Sequence, residues 1–147
     1  MFKKVLIPIN DSKLVRQTLK TIARHSSSLG EIAYLVFVSE PFLPSIYNGH
    51  TLSKYYTSLE NHDKSREAYA NKLFKQSKKV FEKTPIECRT LHVTDTDVAT
   101  GILKAASQLK VDAIIMASHR YSGIKAITLG NHAHKVIINS QLPVLVM

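Results

Sequence analysis

Cysteine is nearly absent from this 147-residue chain. Cys88 stands alone, so no intrachain disulfide can form, as suits a reducing compartment. Tryptophan is missing and glycine is scarce, with Gly30, Gly49, Gly101, Gly123 and Gly130 the only five. They form neither G-x-G-x-x-G nor G-x-x-x-x-G-K-S/T, which excludes the dinucleotide fingerprint and the P-loop. No G-x-S-x-G is present to make a hydrolase elbow. No apolar run approaches the roughly 18 residues of a membrane helix. After Met1-Phe2-Lys3-Lys4 the apolar stretch ends at about five residues, short of the roughly 7–15 of an export signal. Residence in the cytoplasm, without membrane association, is the expectation. There is no repeat of 20–50 residues and no low-complexity tract, and the length suits one domain over residues 1–147.

What is abundant is positive charge. Twenty Lys and Arg against eleven Asp and Glu give a net charge of +9 and point to anionic partners. The cations are scattered, with no run of five or six, and aromatics do not alternate with them as in an RNA-stacking strand. Spacing therefore favours a solvated basic surface over a nucleic-acid footprint.

Hydrophobic patterning alternates between two periods. Val5-Leu6-Ile7 before Pro8 reads as a buried strand, and Asn10-Asp11-Ser12 as the cap of a helix with Leu14, Val15, Thr18, Leu19, Ile22 and Ala23 on one face, closed by Gly30 as its C-cap. Ile32–Val38 is a strand covered on both sides, and 39–50 a loop. A long helix runs from about Leu52 to Lys83 on a stripe of Leu59, Arg66, Tyr69, Leu73, Ser77 and Val80, ended by Pro85. Ile86–Val93 reads as a strand nearer an edge. Asp97 caps a helix buried through Val98, Ile102, Ala105, Ala106 and Leu109. Ala113–Ala117 is a buried strand, Ser118–Gly123 a polar turn, Gly130–Ser140 a helix capped by Asn131, and Pro143–Met147 a last strand. Strands and helices in strict alternation imply an α/β fold, an open parallel sheet with helices on both faces.

Ligands of such sheets bind beyond the carboxyl ends of the strands. That directs attention to Ile9–Ser12, Ser39–Glu40, Thr94–Asp97 and Ser118–Gly130. Cys88, inside a strand, reads as a core thiol. His132 and His134 lie two apart on a helix, the wrong spacing for a zinc pair. Asp95 and Asp97 are explained by a turn and a cap, although two carboxylates and a phosphate can hold Mg²⁺. From Ser118 through Arg120 to Gly130-Asn131, a turn runs from a buried strand to a helix N-terminus. It offers free N–H groups and the positive end of a helix dipole to an anion, or it merely starts the helix.

Lys4-Val5-Leu6-Ile7-Pro8-Ile9-Asn10-Asp11-Ser12 at one end, with Asp112–His119, Leu129-Gly130-Asn131 and Pro143-Val144-Leu145-Val146 at the other, resembles the universal stress protein family along the whole chain. The resemblance implies a five-stranded Rossmann-like sheet of order 3-2-1-4-5 and a homodimer joined through the C-terminal strand. It also implies a binding or signalling role in stress response. One subgroup of that family binds ATP with an acidic residue after the first strand, a backbone at the end of the second, and the pattern G-x-x-G-(nine residues)-G-S/T. Here the acidic position falls on Asn10, beside Asp11, and the backbone position on Val38. The loop positions fall on Ala117, Arg120, Gly130 and Asn131, so three of the four depart from the pattern. A degenerate cleft for ATP or AMP, with or without Mg²⁺, is the expectation. Its residues would be Pro8, Asn10, Asp11, Val38, Ala117, Ser118, Arg120, Gly130, Asn131 and His132, with no catalytic residue among them. The alternative is weak Mg²⁺-dependent ATP hydrolysis resting on Asp11 and Asp97.

Overall fold

A computed structural model of the protein describes residues 2–42, 52–120, 127–128 and 130–147. Five parallel strands form the main sheet: β1 (Lys4–Pro8), β2 (Ile32–Ser39), β3 (Glu87–Thr94), β4 (Ala113–Met116) and β7 (Val144–Val146), in the spatial order β3-β2-β1-β4-β7. Counted along the chain this is 3-2-1-4-5, as the resemblance implies. β5 (His119–Arg120) and β6 (Ile127–Thr128) make a small antiparallel ribbon where the sequence suggests only a polar turn. Two-residue strands carry too little periodicity to show in a sequence. Residues 43–51, in the expected loop, and 121–126, which include Gly123, lie outside the described residues.

The helices divide between the two faces. α1 (Lys13–Arg24) buries Val15, Leu19 and Ile22 on one face, beside Leu73 and Phe74 of α3 (Leu52–Lys78) and Phe81 of the 3₁₀ turn Lys79–Phe81. α4 (Val98–Leu109) and α5 (Asn131–Asn139) cover the other face with Ile102, Ala105, Ala106, Ala133 and Val136. Full burial of a side chain such as Leu19 or Ile102 contributes about 1.5–3 kcal/mol, and the strands between the faces supply Val5, Leu6, Leu35, Ile114 and Ile115, all fully buried.

Several sequence expectations need correction. α1 ends at Arg24, and a separate short helix, α2 (Ser26–Leu29), precedes Gly30. Gly30 is extended, with φ 168°, and is no left-handed C-cap; the chain passes so close to the residues leading into β1 that an added Cβ would lie 3.0 Å from the Phe2 carbonyl oxygen. Arg66 and Tyr69, placed on the α3 stripe, are exposed; α3 buries side chains from Ala70 onward, with the Tyr69 ring at the margin, 5.4 Å from that of Phe37 in β2. α3 and its 3₁₀ turn also stop short of Pro85, at Phe81. The N-cap of α5 is Gly130 and not Asn131, since the Gly130 carbonyl accepts the first helical N–H, from His134, at 3.0 Å.

Candidate functional site

β1 pairs with β2 on one side and β4 on the other, so the chain leaves its carboxyl end at the point where strand order reverses. A cleft of about 300 Å³ opens there, at the lower end of the roughly 300–1,000 Å³ usual for small-molecule pockets. Pro8, Asn10, Val38, Ala117, Gly130 and His132 all line it, bringing six of the ten expected residues together.

The other four lie elsewhere or are only partly described. Asp11 is exposed beside Tyr69 of α3; burial against the sheet, with the Asp11 carboxylate adding to it, pushes the Tyr69 phenol above its ordinary value. Ser118 is buried, and both its N–H and its Oγ donate to the Met147 carbonyl, at 2.8 and 3.2 Å, tying the end of β7 to the end of β4. Asn131 is an exposed first-turn residue of α5. Arg120 is placed by its backbone, in β5 opposite Ile127.

The polar geometry of the cleft follows from capping. Asn10 Oδ1 accepts the Ser12 N–H at 2.9 Å, and Ser12 Oγ accepts the Val15 N–H at 3.2 Å, so Asn10 holds the turn that starts α1 and keeps its amide N–H₂ as a donor. α5 starts differently: no side chain caps it, and a Cβ built on Gly130 would meet nothing within 4 Å. Two helix N-termini thus converge on the cleft, one of them with open N–H donors, and no carboxylate lines it among the described residues. Apart from His132, the rest of the lining is apolar: Val36, Val98, Ile102 and Met116 were legible as core residues, but only the fold shows that they also wall a ligand site.

The acidic residues considered for Mg²⁺ are engaged. Asp97 Oδ2 accepts the Thr100 N–H and hydroxyl at 3.0 and 2.8 Å, and Oδ1 accepts Lys135 Nζ at 3.0 Å. Lys135 above all, then Thr100, lowers the Asp97 carboxyl to about 2. Asp95 accepts the Asp97 N–H at 3.1 Å and Lys104 Nζ at 3.0 Å. No group of three or more His, Cys, Asp or Glu residues arranged to hold a metal occurs among the described residues, His132 and His134 included. The pair a hydrolase would rest on is not assembled, since Asp97 is closed in by its own partners and Asp11 is turned toward α3. Cys88 is half-buried against the core, and burial pushes its thiol up to about 11, too high for a nucleophile at neutral pH.

A larger cavity, about 660 Å³, lies between α3 and the ends of β2 and β3. In it Ser39 Oγ and His92 Nε2 are 2.7 Å apart, and Phe37 stacks on the His92 ring. Burial lowers the His92 pKa, favouring the neutral imidazole. None of the helix N-termini described above opens into this cavity.

Comparison with known proteins gives consistent results. A model of the universal stress protein family matches residues 1–147. Universal stress protein MJ0531 of Methanocaldococcus jannaschii is 26% identical over 151 residues, covering 100% of this chain and 82% of its own. Universal stress protein MJ0577 of the same organism is 28% identical over 160 residues, covering 100% and 95%. The solved structure of MJ0577 matches with a TM-score of 0.74 over 100% of this chain and 96% of that one. A universal stress protein from Archaeoglobus fulgidus, solved in complex with dAMP, matches with a TM-score of 0.62 at 17% identity over 98% and 96%. Among the described residues, no helix is long and apolar enough to cross a membrane.

Proposed function

The chain belongs to the universal stress protein family along its whole length, and from that premise we propose that it is a one-domain stress-response binding module whose cleft takes an adenine nucleotide weakly. One observation carries the reading: the uncapped start of α5 at Gly130 faces open space beside the N-terminus of α1, in a cleft with no carboxylate among its described lining residues. Free N–H groups at the positive end of a helix dipole suit phosphate. Val36, Val38, Val98, Ile102 and Met116 offer an apolar slot for a base, and the Asn10 amide a donor for a ribose oxygen. The fold-sharing protein from Archaeoglobus fulgidus holds dAMP, which supports the ligand class.

Weakness is the expectation because Asn10 has lost the charge that strengthens a bond to a ribose hydroxyl. Ala117, Arg120 and Asn131 replace residues that fit backbone closely around a triphosphate. Equilibrium dialysis with ATP, ADP and AMP, with and without Mg²⁺, tests this, and no binding at millimolar ligand would leave only a partner-binding role. Gly130→Ala should cost only about 0.5 kcal/mol as a poorer N-cap, yet weaken nucleotide binding several-fold, because its methyl enters the space assigned to phosphate. Arg120→Gly separates two roles: tighter binding means the arginine obstructs, and loss means it clamps the phosphates.

The same reading includes cytoplasmic residence and a second copy of the chain as partner, paired at β7. That strand ends the sheet order and is half-buried, so its outer edge is free to pair among the described elements. Sedimentation equilibrium of the protein and of a Val146→Lys variant tests it: a dimer is expected for the first and a monomer for the second.

A further inference from the structure

Cations that are scattered in the sequence are gathered by the fold. α1 carries Lys13, Arg16, Lys20 and Arg24, all exposed, and no acidic residue. On the same face of the sheet, the stretch from Lys72 to Lys83 carries five exposed lysines against the single carboxylate of Glu82. These two segments hold nearly the whole net charge of +9.

Their pairing differs from that of the opposite face. There the one lysine of α4, Lys104, is bound to Asp95, and the one lysine of α5, Lys135, to Asp97, each at 3.0 Å. None of the ion pairs formed among the described residues involves a cation of α1 or of the 72–83 stretch. The Arg16 guanidinium donates to the Asp11 backbone carbonyl at 2.7 Å, which leaves its charge uncompensated. Lys13 and Arg16 also stand in the first turn of α1, where the helix dipole disfavours positive charge, so local helix stability does not account for them.

We propose that this α1–α3 face is an interaction surface for the phosphodiester backbone of a nucleic acid. The four cations of α1 span about 16 Å along the helix axis at 1.5 Å per residue, enough to follow roughly five phosphates of one strand at 3.4 Å each. A lipid surface is the poorer match. A membrane-binding helix inserts its apolar side, and that side of α1, Val15, Leu19 and Ile22, is buried in the core. None of these cations is among the lining residues of the nucleotide cleft, and the proposal stands whether or not that cleft binds.

Fluorescence anisotropy with a labelled 30-base-pair DNA duplex and a labelled 30-nucleotide single-stranded RNA, from 50 to 200 mM salt, tests it on the full-length chain. Binding to at least one probe is expected at 50 mM salt and should fall steeply with salt. Lys13→Gln with Lys20→Gln should flatten the slope of log K against log salt by about 2 for the duplex, at about 0.9 per phosphate contact. Lys104→Gln with Lys110→Asn lowers net charge equally on the α4 face and should change the slope little; circular dichroism confirms that both variants fold. An equal effect of the two double variants would reduce the attraction to net charge and overturn the assignment to this face. So would absence of binding to both probes at 50 mM salt, or binding to phosphatidylserine vesicles alone.

Discussion

At the scale of single residues the cleft rests on close contacts rather than on charges. Gly101 lies in α4 directly under Val38; a Cβ there would stand 2.7 Å from Val38 Cγ1 and 3.2 Å from Asp95 Cβ. Val38 is β-branched, so its χ1 is stiff and its methyls do not swing away from α4 without cost. Gly101→Ala gains about 1 kcal/mol of helix propensity but overpacks a contact whose strain is about 1–3 kcal/mol. Net destabilisation of about 1 kcal/mol is expected, with a lower urea midpoint at unchanged slope and weaker nucleotide binding. An unchanged midpoint would show that α4 withdraws from β2 freely. None of this is legible in the sequence, where Gly101 reads as one weak helix residue. Asn10 was readable as a turn and cap residue, because its chemistry acts within two positions of itself. The crowding of Gly101 against Val38 acts across 63 positions and needs the fold.

Among elements, the N-cap of α4 is joined to the middle of α5 by Asp97 and Lys135. The Asp97 carboxyl lies at about 2 in the folded protein against an ordinary 3.8, chiefly through Lys135 and then Thr100. A folded value below the unfolded one means that the stabilisation is complete above about pH 4 and is lost as pH falls from about 4 through 2. Asp97→Asn keeps an acceptor for Thr100 but loses the ion pair. The wild type should therefore unfold at higher urea than the variant at pH 7, with the gap closing as pH approaches 2. A constant gap across that range would place the effect in shape and not in charge. The cap was readable from Asp97 and the apolar period after it. Its partner Lys135 was not, because 38 positions and three strands separate the two.

For the molecule as a whole, strand and helix alternation was enough to identify the architecture, since fully apolar strands separated by helical periods admit few other packings. The distribution of charge was not legible, for the opposite reason. Linear spacing of lysines says nothing about which helices share a face, and only the division of α1 and α3 from α4 and α5 reveals the asymmetry. Like charges crowded on one face repel across distances comparable to the roughly 10 Å screening length at 0.1 M salt. Raising NaCl from about 0.02 to 0.3 M should accordingly raise the thermal midpoint of the wild type, and raise it less for Lys13→Gln/Lys20→Gln. Equal shifts for both would assign the effect to charges elsewhere.

The two margins of the main sheet differ in kind. β3 is eight residues long, with Glu87 and Arg89 joined at 2.7 Å along it, whereas β7 is three residues of Val-Leu-Val. Joining β7 of one molecule to β3 of the next would leave a fresh margin after every addition and grow a filament. Charged side chains on β3 discourage that union, while two copies of β7 meeting across a twofold axis use up both margins at once. If β7 pairs with β7 as proposed, the dissimilar borders act as a stop signal that ends assembly at two copies and keeps it from stringing into fibres.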